Sequence, residues 1–468
     1  MSPVDITIIV SYFLLMLALG WYASRQQQSV EDYYVAGGRL GRFSIACVWF
    51  ASWIGGAAVV GVADKAYELG ISGVWYVAAM AIGCLAFGLF FAARVKRLGT
   101  QHNLLTYPDL IELRYDSRTR IVATVTTVLA FIAYAAGQLA AAAGILHTLL
   151  GIDYGTALLL SGTVIVLYTA TGGYLAITYT DWVQVILLFV GIVLIGVPIA
   201  ISQGGDWTAM NNTLPASHFE LGNWGWGAIA ALVVSLSLSF FTAMDSYTRM
   251  FAAKDERTAK QGTLLTVALL LPIAIGATWL GMAAATLFPG LENNSDVLTT
   301  FIVQTFPIGL KGLVLVGLLA ALMSTADICI LTASANLTRD VYQRYINPEV
   351  KPDRLLRISM LTSLAVGVLA ALMAWQLQDV VSILLLGFTI NSAALFIPSL
   401  AMVYFSKWNS NAAFWSISLS LLVVVIWSIA TRFDGFPLGH IDALWPGLMV
   451  SFVVFGLLNR NSPTAAVL

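Results

Sequence analysis

The chain has 468 residues, 59% of them hydrophobic and only 10% charged, with a mean hydropathy of +0.85 and a formal net charge of −1. That composition lies outside the range of soluble domains and makes the chain an integral membrane protein before any motif is read. The near-zero charge offers nothing to nucleic acid, and Cys47, Cys84 and Cys329 all fall inside apolar segments without metal-ligand spacing, so they read as packing residues.

Crossing roughly 30 Å of hydrocarbon takes about 20 apolar residues in a helix. Thirteen such runs can be counted, at 4–24, 43–64, 70–93, 119–149, 155–172, 181–202, 224–248, 262–288, 310–338, 355–374, 379–405, 411–430 and 441–458. The first opens on Asp5 instead of a basic stretch, so it reads as a retained helix and not a cleavable leader. Segment two carries Gly55, Gly56 and Gly61 after Ala51, Ser52, Trp53 and Ile54. Glycines this dense mark either a broken helix or a seam for tight helix packing. At its outer end Asp64, Lys65 and Glu68 read as the solvated face of a vestibule. Segment six opens on Asp181, and segment seven carries the polar run Ser235, Ser237, Ser239, Thr242, Asp245, Ser246, a second candidate break. Segment nine holds Ala321-Leu322-Met323-Ser324-Thr325-Ala326-Asp327, two hydroxyls and a carboxylate where hydrocarbon is expected. Such groups are costly in a bilayer and mark an ion or solute path. His102, His147, His218 and His440 fall in loops or at helix ends, without ligand spacing.

Orientation follows from the basic residues. With the N-terminus outside, all but three of the 23 Lys and Arg residues fall in inner loops, among them Arg25, Arg39, Arg97, Arg120, Arg249, Arg339 and Lys407, and only Lys65, Lys311 and Arg432 stay outside. An odd number of segments lets two to six and seven to eleven form two units of five helices that enter from opposite faces. That is the inverted-repeat plan of secondary transporters, whose substrate sites adjoin discontinuous helices near the bilayer midplane. The chain is therefore read as an all-α integral membrane protein of 13 transmembrane helices, a five-plus-five inverted repeat with one extra N-terminal and two extra C-terminal helices. The expected divisions are 1–41, 42–205, 206–408 and 409–468.

Depth arithmetic brings two of these features together. Ser324 lies roughly 20 Å below the outer edge of segment nine, and Ala51 to Ile54 lie roughly 12 to 16 Å above the inner edge of segment two, at 1.5 Å per residue. Both groups fall in the inner half of the membrane. A small hard cation takes oxygen ligands, including hydroxyls and backbone carbonyls, and a break near Gly55 frees the carbonyls of Ala51 and Ile54. Residues 321, 324 and 325 share one helical face. Ser324 and Thr325 can instead simply bond back to the preceding turn.

Four stretches carry a family resemblance: Asp32 to Gly38, Gly172 to Ala176 with Thr180-Asp181, Arg249 to Lys254, and Ala321 to Asp327 with Ser334 to Tyr342. With their order and the helix layout, the chain resembles the sodium/solute symporter family, which includes bacterial proline, pantothenate, sialic acid and galactose carriers. The resemblance implies a LeuT-like core and a main sodium site at Ala51, Ile54, Ala321, Ser324 and Thr325. Some members bind a second sodium between an aspartate, matched by Asp181, and serines; here Asp327 and Ile328 stand where those serines would be. Asp181 admits a second reading, as a helix N-terminal residue favoured by the dipole. Asp327 reads as a carboxylate that handles a cation or a proton, with a structural hydrogen bond or a pair with Arg339 as the alternatives.

Solute-pocket candidates beside the broken segments are Ser52, Trp53, Tyr134, Gln138, Thr242, Asp245, Thr389 and Asn391. Each aromatic among them is equally explained by ordinary packing, and Asp245 has Arg249 at i+4 as a ready partner. With no buried Arg or Lys expected, an amino acid or similar zwitterion is favoured over a polyanion. The function expected is sodium-coupled import of a small organic solute by alternating access in the inner (cytoplasmic) membrane, with the N-terminus outside and the C-terminus inside, and not an enzyme activity. The alternatives are a sodium-coupled carrier of monocarboxylates, other organic anions or sugars, or a transporter-like sensor acting with a separate partner. Expected partners are the solute, sodium and lipid, and the chain is read as a monomer.

Overall fold

A computed structural model of the chain describes residues 2–291, 297–376, 380–404, 409–431 and 441–460, so Lys407, Arg432 and His440 lie outside the described residues. The α-helices run in chain order as α1 (Pro3–Ser24), α2 (Val30–Val35), α3 (Arg42–Trp53), α4 (Gly56–Leu69), α5 (Trp75–Phe90), α6 (Ala92–His102) and α7 (Tyr107–Arg114). They continue with α8 (Ser117–Leu150), α9 (Tyr154–Leu188), α10 (Val197–Ser202), α11 (Trp207–Thr213), α12 (Trp226–Thr242), α13 (Met244–Ala252) and α14 (Glu256–Leu287). The last are α15 (Val297–Thr305), α16 (Leu310–Ala335), α17 (Pro352–Gln376), α18 (Val380–Tyr404), α19 (Ser410–Ala430) and α20 (Leu444–Asn459). Among the described residues there is no strand, only one isolated parallel bridge between Leu40 and Ala253.

Among the described residues, nine helical runs are long and apolar enough to cross a membrane, or ten if the bent pair α12–α13 is one span. The thirteen-segment reading departs from that count at identifiable places. One run, Tyr154–Ser202, holds two of the expected segments, because the helix passes through a kink at Gly173 (φ 52°, ψ −150°) and resumes. Another, Ala58–Phe90, joins the outer half of segment two to segment three, and α20 is shorter than a full span.

The long helix α16 is apolar all round and buried along nearly its whole length, packed against α8, α9 and α3, as expected of a helix without a polar face. α1 lies on α9, α14 covers α3, α4 and α5, and α18 rests on α8 and α12. This central helix is therefore where a side chain of segment nine can meet the broken segment two.

The four family-like stretches converge in space. The Tyr33 hydroxyl donates to the Ala170 carbonyl at 3.0 Å, Tyr34 reaches Ser334 at 3.3 Å, and the backbone of Leu40 pairs with Ala252 (2.9 Å) and Lys254 (3.1 Å). Lys96 of α6 secures the same corner, its ammonium donating to the Phe251 carbonyl at 3.1 Å; burial pushes its pKa below the ordinary value.

At the same end of the bundle, Arg120 of α8 is 5% exposed and contacts Asp109, Glu112 and Asp340, tying α7 and α8 to the helical turns that follow α16. A guanidinium fork serves several carboxylates where an ammonium serves fewer. Arg120→Lys is thus expected to lower stability by about 1.5–3 kcal/mol, the worth of a charged hydrogen bond, read as a lower thermal unfolding midpoint in detergent. An unchanged midpoint would show the cluster to be incidental.

Candidate functional site

The first break lies between α3 and α4. The helical ladder stops where Ile54 N–H donates to Phe50 (2.8 Å) and restarts where Ala58 N–H donates to Gly55 (2.8 Å). Ile54 leaves helical geometry (φ −86°, ψ 60°), and Gly55 caps α4 in an extended conformation. The carbonyls of the last turn of α3 are thereby released from i+4 donors. α16 supplies hydroxyls to them. Ser324 Oγ donates to the Ala51 carbonyl at 2.8 Å and the Ala321 carbonyl at 3.0 Å, and Thr325 Oγ1 to the Ser52 carbonyl at 3.0 Å and Ala321 at 3.2 Å. The carbonyl facing Thr325 is that of Ser52, while Ile54 forms the turn itself. Gly55 is required by close approach: a Cβ there would come within 2.9 Å of Thr325 Oγ1 and 3.3 Å of Gln138 Oε1. Backbone carbonyls and hydroxyls collected at a helix break form an all-oxygen set suited to a small hard cation.

The second break falls at Ala243 (φ −66°, ψ 122°), where α12 and α13 meet at 50°. It lies inside the polar run read from the sequence, without a glycine to announce it. Between the breaks is a cavity of about 70 Å³. Ser52, Trp53, Tyr134, Gln138 and Asp245 line it, together with Gly55 and Thr325, so the oxygen cluster and the cavity share a wall. Thr242, Thr389 and Asn391 do not. Thr242 bonds back to Ser239 O at 3.2 Å, and Asn391 is buried with neither amide atom partnered. Sequence reasoning missed Tyr76, Met80, Phe131 and Phe388, and Cys329, read there as a packing residue, also lines the cavity. The Phe240 ring stacks on Trp53 at 3.7 Å, fixing the indole from behind.

Two further readings need correction. Arg249 belongs to no loop: the broken helix carries it into the interior, where it is fully buried, 2.6 Å from Asp245 and 4.6 Å from the centre of the Trp49 ring. The expectation of no buried Arg therefore fails, and the i+4 partner of Asp245 is engaged through one carboxylate oxygen. Nor does Asp181 sit at a helix mouth. The kink at Gly173 begins that half-helix two turns earlier, and Asp181 is fully buried, neither oxygen having a partner among the described residues.

Asp327 is also fully buried. It accepts from the Tyr168 hydroxyl at 2.7 Å, its other oxygen has no partner, and Arg339 bonds Gln343 instead. Asp181 lies on α9 and Asp327 on α16, two helices packed against one another. A buried pair of like charges calls for a cation or a proton.

A family model described as the sodium:solute symporter family matches residues 33–419. The chain is similar to the high-affinity proline transporter PutP of Bacillus subtilis (strain 168), 25% identical over 97% of both chains. It is likewise similar to the sodium/proline symporter of Escherichia coli (strain K12), 26% identical over all of this chain and 95% of that one. Among solved structures, a Na+-coupled sialic acid symporter in a substrate-bound outward-open state superimposes with a TM-score of 0.85, at 20% identity over the whole of both chains. The nucleobase-cation-symport transporter Mhp1 gives a TM-score of 0.55 at 16% identity, over 93% of this chain and 96% of that one.

Proposed function

Because the chain belongs to the sodium:solute symporter family, we propose that it imports a small zwitterion of the proline type together with sodium, by alternating access between its two broken segments. The contact of Ser324 Oγ with the Ala51 carbonyl, 2.8 Å across the first break, carries this reading. Sodium is held by Ala51, Ile54, Ala321, Ser324 and Thr325. Asp181 and Asp327 form a second cation locus on the other flank of α16, and Ser52, Trp53, Tyr134, Gln138 and Asp245 receive the solute, with Thr242 and Asn391 in a supporting shell. Matches to named proline carriers at about a quarter identity favour proline over sugars and strong anions.

The architecture proposed is thirteen spans, with 42–205 and 206–408 as inverted repeats, 1–41 before them and 409–468 after. That both repeats begin with a broken helix supports it. The N-terminus faces outward and the C-terminus inward, in a bacterial inner membrane. Thr325 belongs to the ion cluster and to the cavity wall at once, so ion and solute settle the same wall, and each raises the other's affinity. Sodium on the outside favours the outward-open arrangement; solute then binds, and both leave on the low-sodium side.

The test is proline uptake into proteoliposomes with an imposed sodium gradient. Ser324→Ala removes one ligand, so half-saturating sodium should rise roughly tenfold, about 1.4 kcal/mol, while proline affinity at saturating sodium stays within about threefold. Wild-type sodium activation in the variant would remove Ser324 from the site.

A further inference from the structure

Among the described residues that line the cavity, Asp245 is the only charged one, and the walls around it are aromatic: Trp53, Tyr76, Phe131, Tyr134 and Phe388. Tyr134 and Phe388 lie with ring centres 4.6 Å apart, and Phe131 stands edge-on to Tyr134 at 5.4 Å. Ring faces carry negative potential and attract cations. Asp245 Oδ2 is engaged by Arg249, which is turned against Trp49 and is not among the described lining residues. Its Oδ1 is buried without a partner among the described residues, and so is Gln138 Oε1 on the same cavity. Buried acceptors left in this state are costly until a donor arrives.

We infer that Asp245 is the specificity-determining residue of the cavity and that it reads a protonated amine on the solute, with the aromatic walls completing a cationic-nitrogen subsite. Arg249 is a positioning residue: by holding Oδ2 it leaves Oδ1 as the free acceptor. A cationic N–H nitrogen offers charge to the rings and donors to both Oδ1 and Gln138 Oε1. An anion of the same size would meet the carboxylate and the ring faces with the wrong sign. The carboxylate of a zwitterion is thus the secondary determinant, and an amine lacking it still binds. This inference rests on the symport reading of the cavity and deepens it.

The experiment measures ligand-induced thermal stabilisation of the full chain in detergent, in sodium and in potassium buffer. The probes are proline, pyrrolidine, which keeps the ammonium and lacks the carboxylate, and tetrahydrofuran-2-carboxylate, which keeps the ring and the carboxylate and lacks the charged nitrogen. Proline and pyrrolidine should stabilise the wild type and the oxygen isostere should not. Asp245→Asn should weaken proline and pyrrolidine roughly 10- to 100-fold, the loss of one charge-assisted hydrogen bond. The inference is overturned if the isostere binds as well as pyrrolidine, if no amine binds, or if Asp245→Asn binds proline like the wild type. The wild-type series stands even where Asp245→Asn, which leaves Arg249 unpaired, does not fold. Equal amine binding in sodium and potassium would instead count against sodium coupling and leave the amine subsite intact.

Discussion

Gly173→Ala is expected to be among the most damaging single-methyl changes in the chain. Gly173 stands at φ 52° and ψ −150°, a conformation in which side chains are strained, and an added Cβ would lie 2.6 Å from the Tyr33 carbonyl oxygen. Backbone strain of roughly 1–3 kcal/mol and overpacking of roughly 1–3 kcal/mol together imply a loss of about 2–6 kcal/mol. The kink does more than join two helical halves. It lets α2, which bears Tyr33, close over α9, and it sets the half-helix that carries Asp181 to begin at Tyr174. The variant should show a lower unfolding midpoint in detergent and a lower yield. Gly144→Ala is the control: it is helical on α8, and an added Cβ there meets nothing within 4 Å, so alanine should be neutral or mildly stabilising by helix propensity. Equal midpoints for the two variants would mean that the kink at Gly173 is not a structural requirement.

The all-helical fold was legible because bilayer thickness imposes a length on apolar runs, and the level of the oxygen cluster was legible because helical rise converts residue count into depth. That is why Ala51, Ser324 and Thr325 could be brought together on paper and are found in contact. The break at Gly55 had a local signal in its glycines. The break at Ala243 had no glycine or proline to announce it, only its place within a polar run.

What stayed hidden depends on neighbours in space. Arg249 read as a loop charge because nothing in its own helix shows that Trp49 of α3 lies against it, although its i−4 partner Asp245 was legible. The alternative reading of Asp181 as a helix-start residue fails because the kink at Gly173 places that start two turns earlier. Tyr168 carried no signal at all, since its partner Asp327 lies on another helix 159 residues away. Thr242 and Asn391, polar residues of α12 and α18, do not line the cavity, and their own sequence context carried no sign of this.

Asp181→Asn is expected to have the largest effect on transport. Around the two breaks, three buried carboxylates, Asp181, Asp245 and Asp327, face one buried guanidinium, Arg249. Arg249 pairs with Asp245, and among the described residues no ion pair joins a cationic side chain to Asp181 or Asp327. A sodium ion between them would supply both the charge and the ligand oxygens' partner, and removing one charged ligand from a buried pair costs roughly 3–5 kcal/mol. Sodium affinity at that proposed locus should therefore fall roughly 100-fold or more, and, with two ions coupled as proposed, sodium activation should lose its sigmoidal form and become hyperbolic. The sign of the stability change separates this from a structural role. Asn relieves the repulsion with Asp327, so in sodium-free buffer the variant should unfold at or above the wild-type midpoint, while sodium should stabilise it less. A variant that is less stable without sodium yet keeps wild-type sodium activation would assign Asp181 to packing and leave Ser324 as the coupling site.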